Sequence, residues 1–406
     1  MRTDGDNMLG LKRQNRAAVL LRLHRHGGLS RKRLASMLGL TPAAVTKIAA
    51  ELIEEGLVFE DGPLASTGVG RREILLRLNP NAFCSLGVSI GLGRAMLSAV
   101  LPDGETLFSE TVSLPVRAPA ERTVRSLSEK LLRLAEAHGI DRKAIRGLGI
   151  AVRGVIGGDG RSVKSSFDAL DTPDFPICER FEAYTGYRTV LSNNVRALLS
   201  AQVFLSRDEQ RESRFFLRCG TGIGAAFSVR GEVLEGDRRQ CAEIGHIPVI
   251  RSGGKPCHCG KSGCLETIAS PAAIREDAQA VFSETETPIL FEMTGKKREA
   301  VTTALVLDAA QAGDAGAKTI VDRAAEALAD ALKSVVYLLD PGKIVLYGEI
   351  FAHPYYLSLL SDKMRVGVDA AHAVPMEESR FNGRLETKAA GLLYTIHFYQ
   401  NGGMIE

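Results

Sequence analysis

The stretch "EIGHIPVIRSGGKPCHCGKSGCLE", residues 243–266, is the most informative part of the chain. Cys257, Cys259 and Cys264 stand within eight residues, and ten residues separate His246 from Cys257. Three thiolates and one imidazole complete a tetrahedral Zn²⁺ shell. Gly260 and Gly263 let so short a loop turn around an ion, and His258 is a competing ligand. Four protein ligands leave no open coordination position, so the expected zinc is structural. Buried, unligated cysteines are a poor alternative at this density in so polar a loop.

The rest of the chain supports that reading. Seven cysteines are an awkward number for a disulfide framework, and the crowding of three in one loop points to metal. The 406 residues suffice for two or three domains, and 45% hydrophobic with 24% charged is a globular balance. No apolar run has the length of a membrane span, and "MRTDGDNMLG" lacks the core of a signal peptide. A cytoplasmic protein with no membrane partner is expected. Net charge is +3, unevenly spread: residues 1–80 hold thirteen Lys/Arg against eight Asp/Glu, a surplus of five that leaves the remainder acidic by two. A basic head on a slightly acidic body suits a head that meets a polyanion.

The head, residues 1–80, has its own punctuation. "NRAAVLLRLHRHGG" is an amphipathic helix with a glycine stop. In "LSRKRLASMLGL", Ser30 is placed to cap a short helix beginning at Arg31, and Gly39 to turn it. In "TPAAVTKIAAELIEEG", Thr41 caps, Pro42 takes the first helical position, and Val45, Ile48, Ala49, Leu52 and Ile53 form an apolar stripe. Two short helices about a glycine turn predict a helix-turn-helix. Its second helix would enter a DNA major groove, with Thr41, Ala43, Ala44, Thr46 and Lys47 facing bases and phosphates. Ser30 and Arg31 join that expected DNA-binding set. "GLVFEDG" and "GRREILLRLN" then read as a hairpin wing carrying Arg71 and Arg72 near its tip, suited to gripping phosphate or a minor groove.

The body begins at residue 81. Alternating strands around the turn Pro102-Asp103-Gly104 open it, and strand–helix and strand–glycine junctions follow. The order predicts two α/β lobes with mixed sheets. "VLSNNVRALL", residues 190–199, joins a strand to a helix through two asparagines, where ligands of α/β folds tend to sit.

The motif "CHCGKSGCLE", with "AEIGH" upstream, resembles the Cys-x-Cys-Gly-x-x-Gly-Cys-x-Glu and Glu-x-Gly-His signatures of the ROK family of repressors, open reading frames and kinases. The resemblance extends across essentially the whole chain. It implies a winged helix-turn-helix over 1–80, followed by a two-lobed actin/hexokinase-like (ribonuclease H-like) ATPase-type fold of the α/β class. A small lobe over 81–195 would be joined by a C-terminal helix at 386–400, with a large lobe carrying the zinc loop over 196–385. By resemblance the effector-sugar contacts fall at Gly154, Asn193, Asn194, Glu243, His246 and Glu266, with Arg153 replacing the proline that the family places before the glycine.

The phosphoryl-transfer parts depart from the family's kinases. Their catalytic aspartate corresponds to Asn194, and an amide cannot accept a proton at neutral pH. The first phosphate loop reads "SIGLG", with Ser89 in place of its aspartate and Gly93 in place of its threonine. The adenosine-side Gly-Gly is Gly348 followed by Glu349, and only "GTGIG" at 220–224 is intact. Loss of a general base alone costs about 10²–10⁴ in rate. The expectation is therefore a sugar-responsive DNA-binding regulator, repressor in type, without catalysis. A sugar kinase with an appended head is the competing expectation. Operator DNA and a sugar or sugar derivative are the expected partners. A homodimer or homotetramer would place recognition helices about 34–36 Å apart on DNA.

Overall fold

The computed structural model describes residues 4–63, 73–207 and 212–404. Contacts divide the chain into two units: 1–209 together with 386–406, and 210–385.

The head opens with α1 (Asp4–His26), longer at its N-terminal side than the apolar pattern suggested, followed by β1 (Leu29–Ser30), α2 (Arg31–Leu38) and α3 (Pro42–Glu54). The Ser30 hydroxyl accepts from the Arg33 N–H, Gly39 closes α2 in the left-handed region at φ 65°, and Thr41 accepts from the Ala44 N–H with Pro42 next in line. Those local bonds satisfy helix ends that would otherwise be orphaned. The axes of α2 and α3 turn by 119°, the geometry of a helix-turn-helix. The wing is β2 (Val58–Pro63) against β3 (Ile74–Leu78), antiparallel, with β1 added on the other edge of β3. Leu20, Leu34, Val45, Leu52 and Leu76 are fully buried beneath these elements.

The first lobe runs β4 (Cys84–Gly91), β5 (Arg94–Val100), β6 (Thr106–Ser113), α4 (Ala120–Ala137), β7 (Ile145–Val152), a small hairpin of β8 (Val155–Ile156) and β9 (Val163–Ser165), α5 (Ile177–Thr185), β10 (Thr189–Asn193) and α6 (Asn194–Ser206). Its sheet has the order β10-β7-β4-β5-β6, with β10, β7 and β4 parallel and β5 and β6 antiparallel.

The second unit holds β11 (Arg214–Cys219), β12 (Ile223–Val229), β13 (Glu232–Val233), α7 (Glu266–Ala269), α8 (Pro271–Ala280), α9 (Pro288–Met293), α10 (Thr303–Gln311), α11 (Ala315–Leu339), β14 (Lys343–Tyr347), α12 (Pro354–Arg365) and β15 (Met376–Glu378). Its order, β13-β12-β11-β14-β15, repeats the first sheet: an antiparallel meander, then two strands added in parallel. The largely apolar, fully buried side of α11 (Val321, Leu328, Leu332) belongs to this unit's core.

The chain returns to the first unit as α13 (Ala389–Gln400). Along β4 and β7 large apolar residues (Leu86, Val88, Leu148, Ile150) alternate with glycines 87, 147 and 149. The large residues share a core with α4 and α5. The glycine face lets α13 lie at backbone contact: a Cβ at Gly149 would stand 1.8 Å from the Ala390 carbonyl oxygen. Helix α6 packs on α13 and belongs to this first unit. The expected start of the second lobe at residue 196 is therefore displaced past α6, because the apolar side of that helix is covered by α13. Among the described residues no single helix is long and apolar enough to cross a membrane.

Candidate functional site: DNA face, cysteine cluster and effector residues

The exposed side of α3 is Thr41, Ala43, Thr46 and Lys47, with Ala44 half-buried, while Val45, Ile48, Ala49 and Leu52 face the core. The Thr46 hydroxyl donates to the Pro42 carbonyl at 2.7 Å, which keeps that face narrow. Arg31 pairs with Glu60 of β2 at 2.7 Å. Ser30 is buried, its hydroxyl taken up by the α2 cap and by Glu73, so its place is beneath the surface rather than on the α3 face. Arg71 and Arg72 lie outside the described residues.

Beneath that face lies a residue that sequence reasoning missed. Arg16 of α1 is 2% exposed; its guanidinium reaches Glu51 of α3 at 3.1 Å and Glu55 just beyond that helix, and its Nε donates to the Gly402 carbonyl at 2.8 Å. A buried guanidinium is tolerated only when its donors are matched in this way. No local pattern announces it, since Gly402 is 386 positions away in sequence.

In the second unit, the ligand atoms of His246, Cys257, Cys259 and Cys264 all lie within 4.8 Å of one another. His246 Nδ1 stands 3.5 Å from Cys257 Sγ, and the sulfurs of Cys259 and Cys264 are 3.6 Å apart. With metal–sulfur bonds of about 2.3 Å and a metal–nitrogen bond of about 2.05 Å, tetrahedral angles require about 3.8 Å between sulfurs and about 3.5 Å between sulfur and nitrogen. Both of these separations match a tetrahedral ion. Gly260 and Gly263 turn the loop with φ of 86° and 72°. Burial, then the adjoining Cys259 and Cys257 thiols, push the Cys264 thiol up to about 12, so an incoming metal must expel its proton. The competing set His246, Cys257, His258 and Glu266 is also within reach of one ion. It shares two ligands with the first, so an ion can use only one of them. His258 Nδ1 is instead 3.1 Å from Glu266 Oε1.

The other oxygen of Glu266 accepts from the Ile223 N–H at 2.8 Å, next to the glycine-rich turn between β11 and β12. A Cβ at Gly222 would stand 1.9 Å from that oxygen. The glycine of "GTGIG" is thus required by the carboxylate's approach, whatever else binds there. Glu243 is half-buried at the start of the short 3₁₀ turn Ile244–His246, which carries the histidine of the cluster. In the same unit Gly348 follows β14 and Glu349 is exposed.

The first unit holds Gly154, Asn193 and Asn194. Asn193 Oδ1 accepts from the Val195 and Arg196 N–H groups at 2.8 and 3.4 Å, capping α6. Its Nδ2 donates to the Gly154 carbonyl at 2.8 Å. A primary amide has two N–H groups and two acceptor positions. Three of the four are used, which leaves one N–H for a ligand. Asn194, the first residue of α6, is half-buried. Ser89 is half-buried on β4, and Gly93 turns the β4–β5 hairpin at φ 74°. Asn193, Asn194 and Ser89 do not ionise near neutral pH, so none of them can serve as a general base.

A winged head, two lobes of repeated topology, and a His-Cys₃ cluster behind a Glu-x-Gly-His turn define the class: the chain belongs to the ROK family, whose match spans residues 85–389, and a MarR family match covers residues 9–64. Over 348 residues the chain is 30% identical to the DNA-binding transcriptional dual regulator NagC of Escherichia coli (strain K12), covering 84% of this chain and 81% of that protein. It is 28% identical over 265 residues to a glucokinase of Thermotoga maritima, 65% of this chain and 81% of that one. Its fold matches the crystal structure of a ROK family transcriptional regulator, a homolog of the E. coli MLC protein, with TM-score 0.81 at 23% identity over 97% of both chains.

Proposed function

We propose that this protein is a sugar-responsive, DNA-binding transcriptional regulator of the repressor type, in which a kinase-like body senses a sugar without phosphorylating it. The observation that carries the proposal is a helix-turn-helix with a narrow exposed face (Thr41, Ala43, Thr46, Lys47) on the same chain as a ROK body that has Asn194 where the family's kinases keep their base. The similarity to NagC over most of both chains supports the regulatory side. Operator DNA is the partner of the head, with Arg31 at the start of α2 and Arg71 and Arg72 assigned to the wing. A homodimer would read two half-sites about one DNA turn apart.

Gly154, Asn193 and Asn194 in the first unit, and Glu243, His246 and Glu266 in the second, are the groups assigned to the sugar. Amides and carboxylates suit vicinal hydroxyls because they donate and accept in pairs. The metal is zinc, held by His246, Cys257, Cys259 and Cys264; it orders the loop that carries Glu266 and His246. Ser89, Gly93 and Glu349 leave the nucleotide side without the acid and hydroxyl expected near phosphate.

The test is ATP turnover by the zinc-loaded full chain against hexoses, pentoses and N-acetyl sugars, beside binding to duplexes selected from a random DNA library. Selective duplex binding that changes with one sugar, without turnover, is the expected result. Robust sugar-dependent turnover refutes the sensing body and leaves a kinase with an appended head. Glu243→Ala and Glu266→Ala should each remove the sugar response and spare duplex binding.

A further inference from the structure

We propose that α6 is a rigid rod connecting the effector site to the DNA-binding head, and that its joint with the head is the stacked pair Phe204 and His24. This rests on the assignment of Asn193 to the effector site. The whole path lies within the first unit. At one end, the Asn193 side chain caps α6 and holds the Gly154 carbonyl, so a ligand that hydrogen-bonds its remaining N–H acts on the same side chain that fixes the helix end. The helix has 13 residues, about 20 Å at 1.5 Å per residue. Val195, Arg196, Ala197, Leu198, Leu199, Ala201, Gln202 and Phe204 are all buried, which leaves little room to bend.

At the other end, the Phe204 ring lies 3.7 Å from the His24 ring at an interplanar angle of 14°. The Phe204 carbonyl, one of the last four of its helix and so without a helical partner, meets His24 Nε2 at 2.9 Å. Tyr399 of α13 flanks both rings, with centroids 6.4 Å from His24 and 6.2 Å from Phe204. His24 sits in the last turn of α1, and eight residues earlier the same helix carries Arg16, which grips Glu51 of the recognition helix and the Gly402 carbonyl beyond α13. A shift of α6 is therefore delivered to α1 by the aromatic joint and to α3 by Arg16. Packed elements shift as units rather than deform continuously, which is what such a relay requires.

The experiment is hydrogen exchange on the full chain. Sites this far apart with no shared partner should act independently. The rod predicts otherwise. Asn193→Ala should speed exchange at residues 19–24 and 45–52 about fivefold, the factor for loss of one N-cap. Asn193→Ser, which keeps a capping hydroxyl, should restore most of it. In a His24→Leu or Phe204→Ala background, Asn193→Ala should leave those amides unchanged while still loosening residues 195–198. Unchanged exchange at 19–24 in the otherwise wild-type chain overturns the proposal, as does an equal change in both backgrounds.

A second arm adds D-glucose, D-xylose or N-acetyl-D-glucosamine. A sugar that protects residues 154 and 193 should alter exchange at 19–24 in the wild type and not in His24→Leu; protection without that change also overturns the rod. If no sugar tested protects 154 and 193, the sugar assignment is refuted for them, and the ligand-free arm still decides the rod.

Discussion

Acidification should loosen the head from the lobe through one residue, His24. Burial is the main cause that depresses this imidazole from 6.5 to about 4; the Phe204 carbonyl pulls it upward, and Arg207 and Arg25 push it down, with Asp103 opposing them. The side chain is only 8% exposed, so solvent screening does little to dilute the effect. The sign follows from proton counting. Between pH 6.5 and 4 the unfolded chain holds a proton at this residue and the folded chain does not, so stability rises with pH across that window. The contribution is complete above the unfolded value near 6.5 and is lost progressively as pH falls to about 4, below which it stays constant. A difference of about 2.5 pKa units corresponds to about 3 kcal/mol in all, of which about 2 kcal/mol is lost by pH 5. His24→Phe keeps an aromatic ring against Phe204 and removes the titration. Urea unfolding of both proteins at pH 7.5, 6.5, 5.5 and 5.0, followed by far-ultraviolet circular dichroism, isolates the effect. Carboxylate titration is common to the pair and cancels in the difference. The wild type should lose about 2 kcal/mol relative to the variant between pH 7.5 and 5. Parallel stability curves for the two proteins would refute the reasoning, whatever constant offset separates them.

Zinc analysis should find one ion per chain, and Cys259→Ser or Cys264→Ser should lower that content together with the melting temperature; full occupancy in either variant would assign the ion to other ligands. Lys47→Ala should weaken binding to all duplexes alike and lower the slope of log affinity against log salt by about one, measured by fluorescence anisotropy across salt concentrations. Gly149→Ala should cost 1–3 kcal/mol or more by forcing α13 off the sheet, because its Cβ would meet the Ala390 carbonyl oxygen at 1.8 Å. Thermal unfolding measures it, and a wild-type melting temperature would contradict the packing. Asn194→Asp should leave ATP turnover at background, since Ser89 and Glu349 are unchanged; turnover restored by that one substitution would show that the nucleotide side is intact.

Much of the head and of the cysteine loop can be read along the chain because the relevant chemistry is local. Ser30, Gly39, Thr41 and Pro42 each act on backbone groups within a few residues, and each stands where its side chain or φ suggested. Cys257, Cys259 and Cys264 are held together by one short loop, so their spacing already encodes most of their geometry. Two α/β lobes with mixed sheets are legible in the strand and helix order, whereas the repeat of the first sheet's order in the second emerges only from strand pairing. The exposed and buried sides of α3 follow from a 3.6-residue period.

Other features depend on partners that are distant in sequence. Nothing near Arg16 tells that it will be buried, because its partners are Glu51, Glu55 and a carbonyl 386 positions on. His24 looks like one more basic residue in "RLHRHGG", yet Phe204, 180 positions away, makes it a buried neutral joint. By residue type Ser30 suits both a cap and a DNA contact, and only Glu73 shows how its hydroxyl is used beyond the cap. The position of Asn193 at a strand–helix junction suggests a ligand contact, and the fold adds that most of its hydrogen-bonding capacity already caps α6 and holds Gly154. Caps, turns and metal loops close within one or two turns of chain, so residue types and spacing suffice to specify them. Burial, pairing and the coupling between helices are properties of surfaces that meet only after the chain has folded, and there the tertiary structure decides.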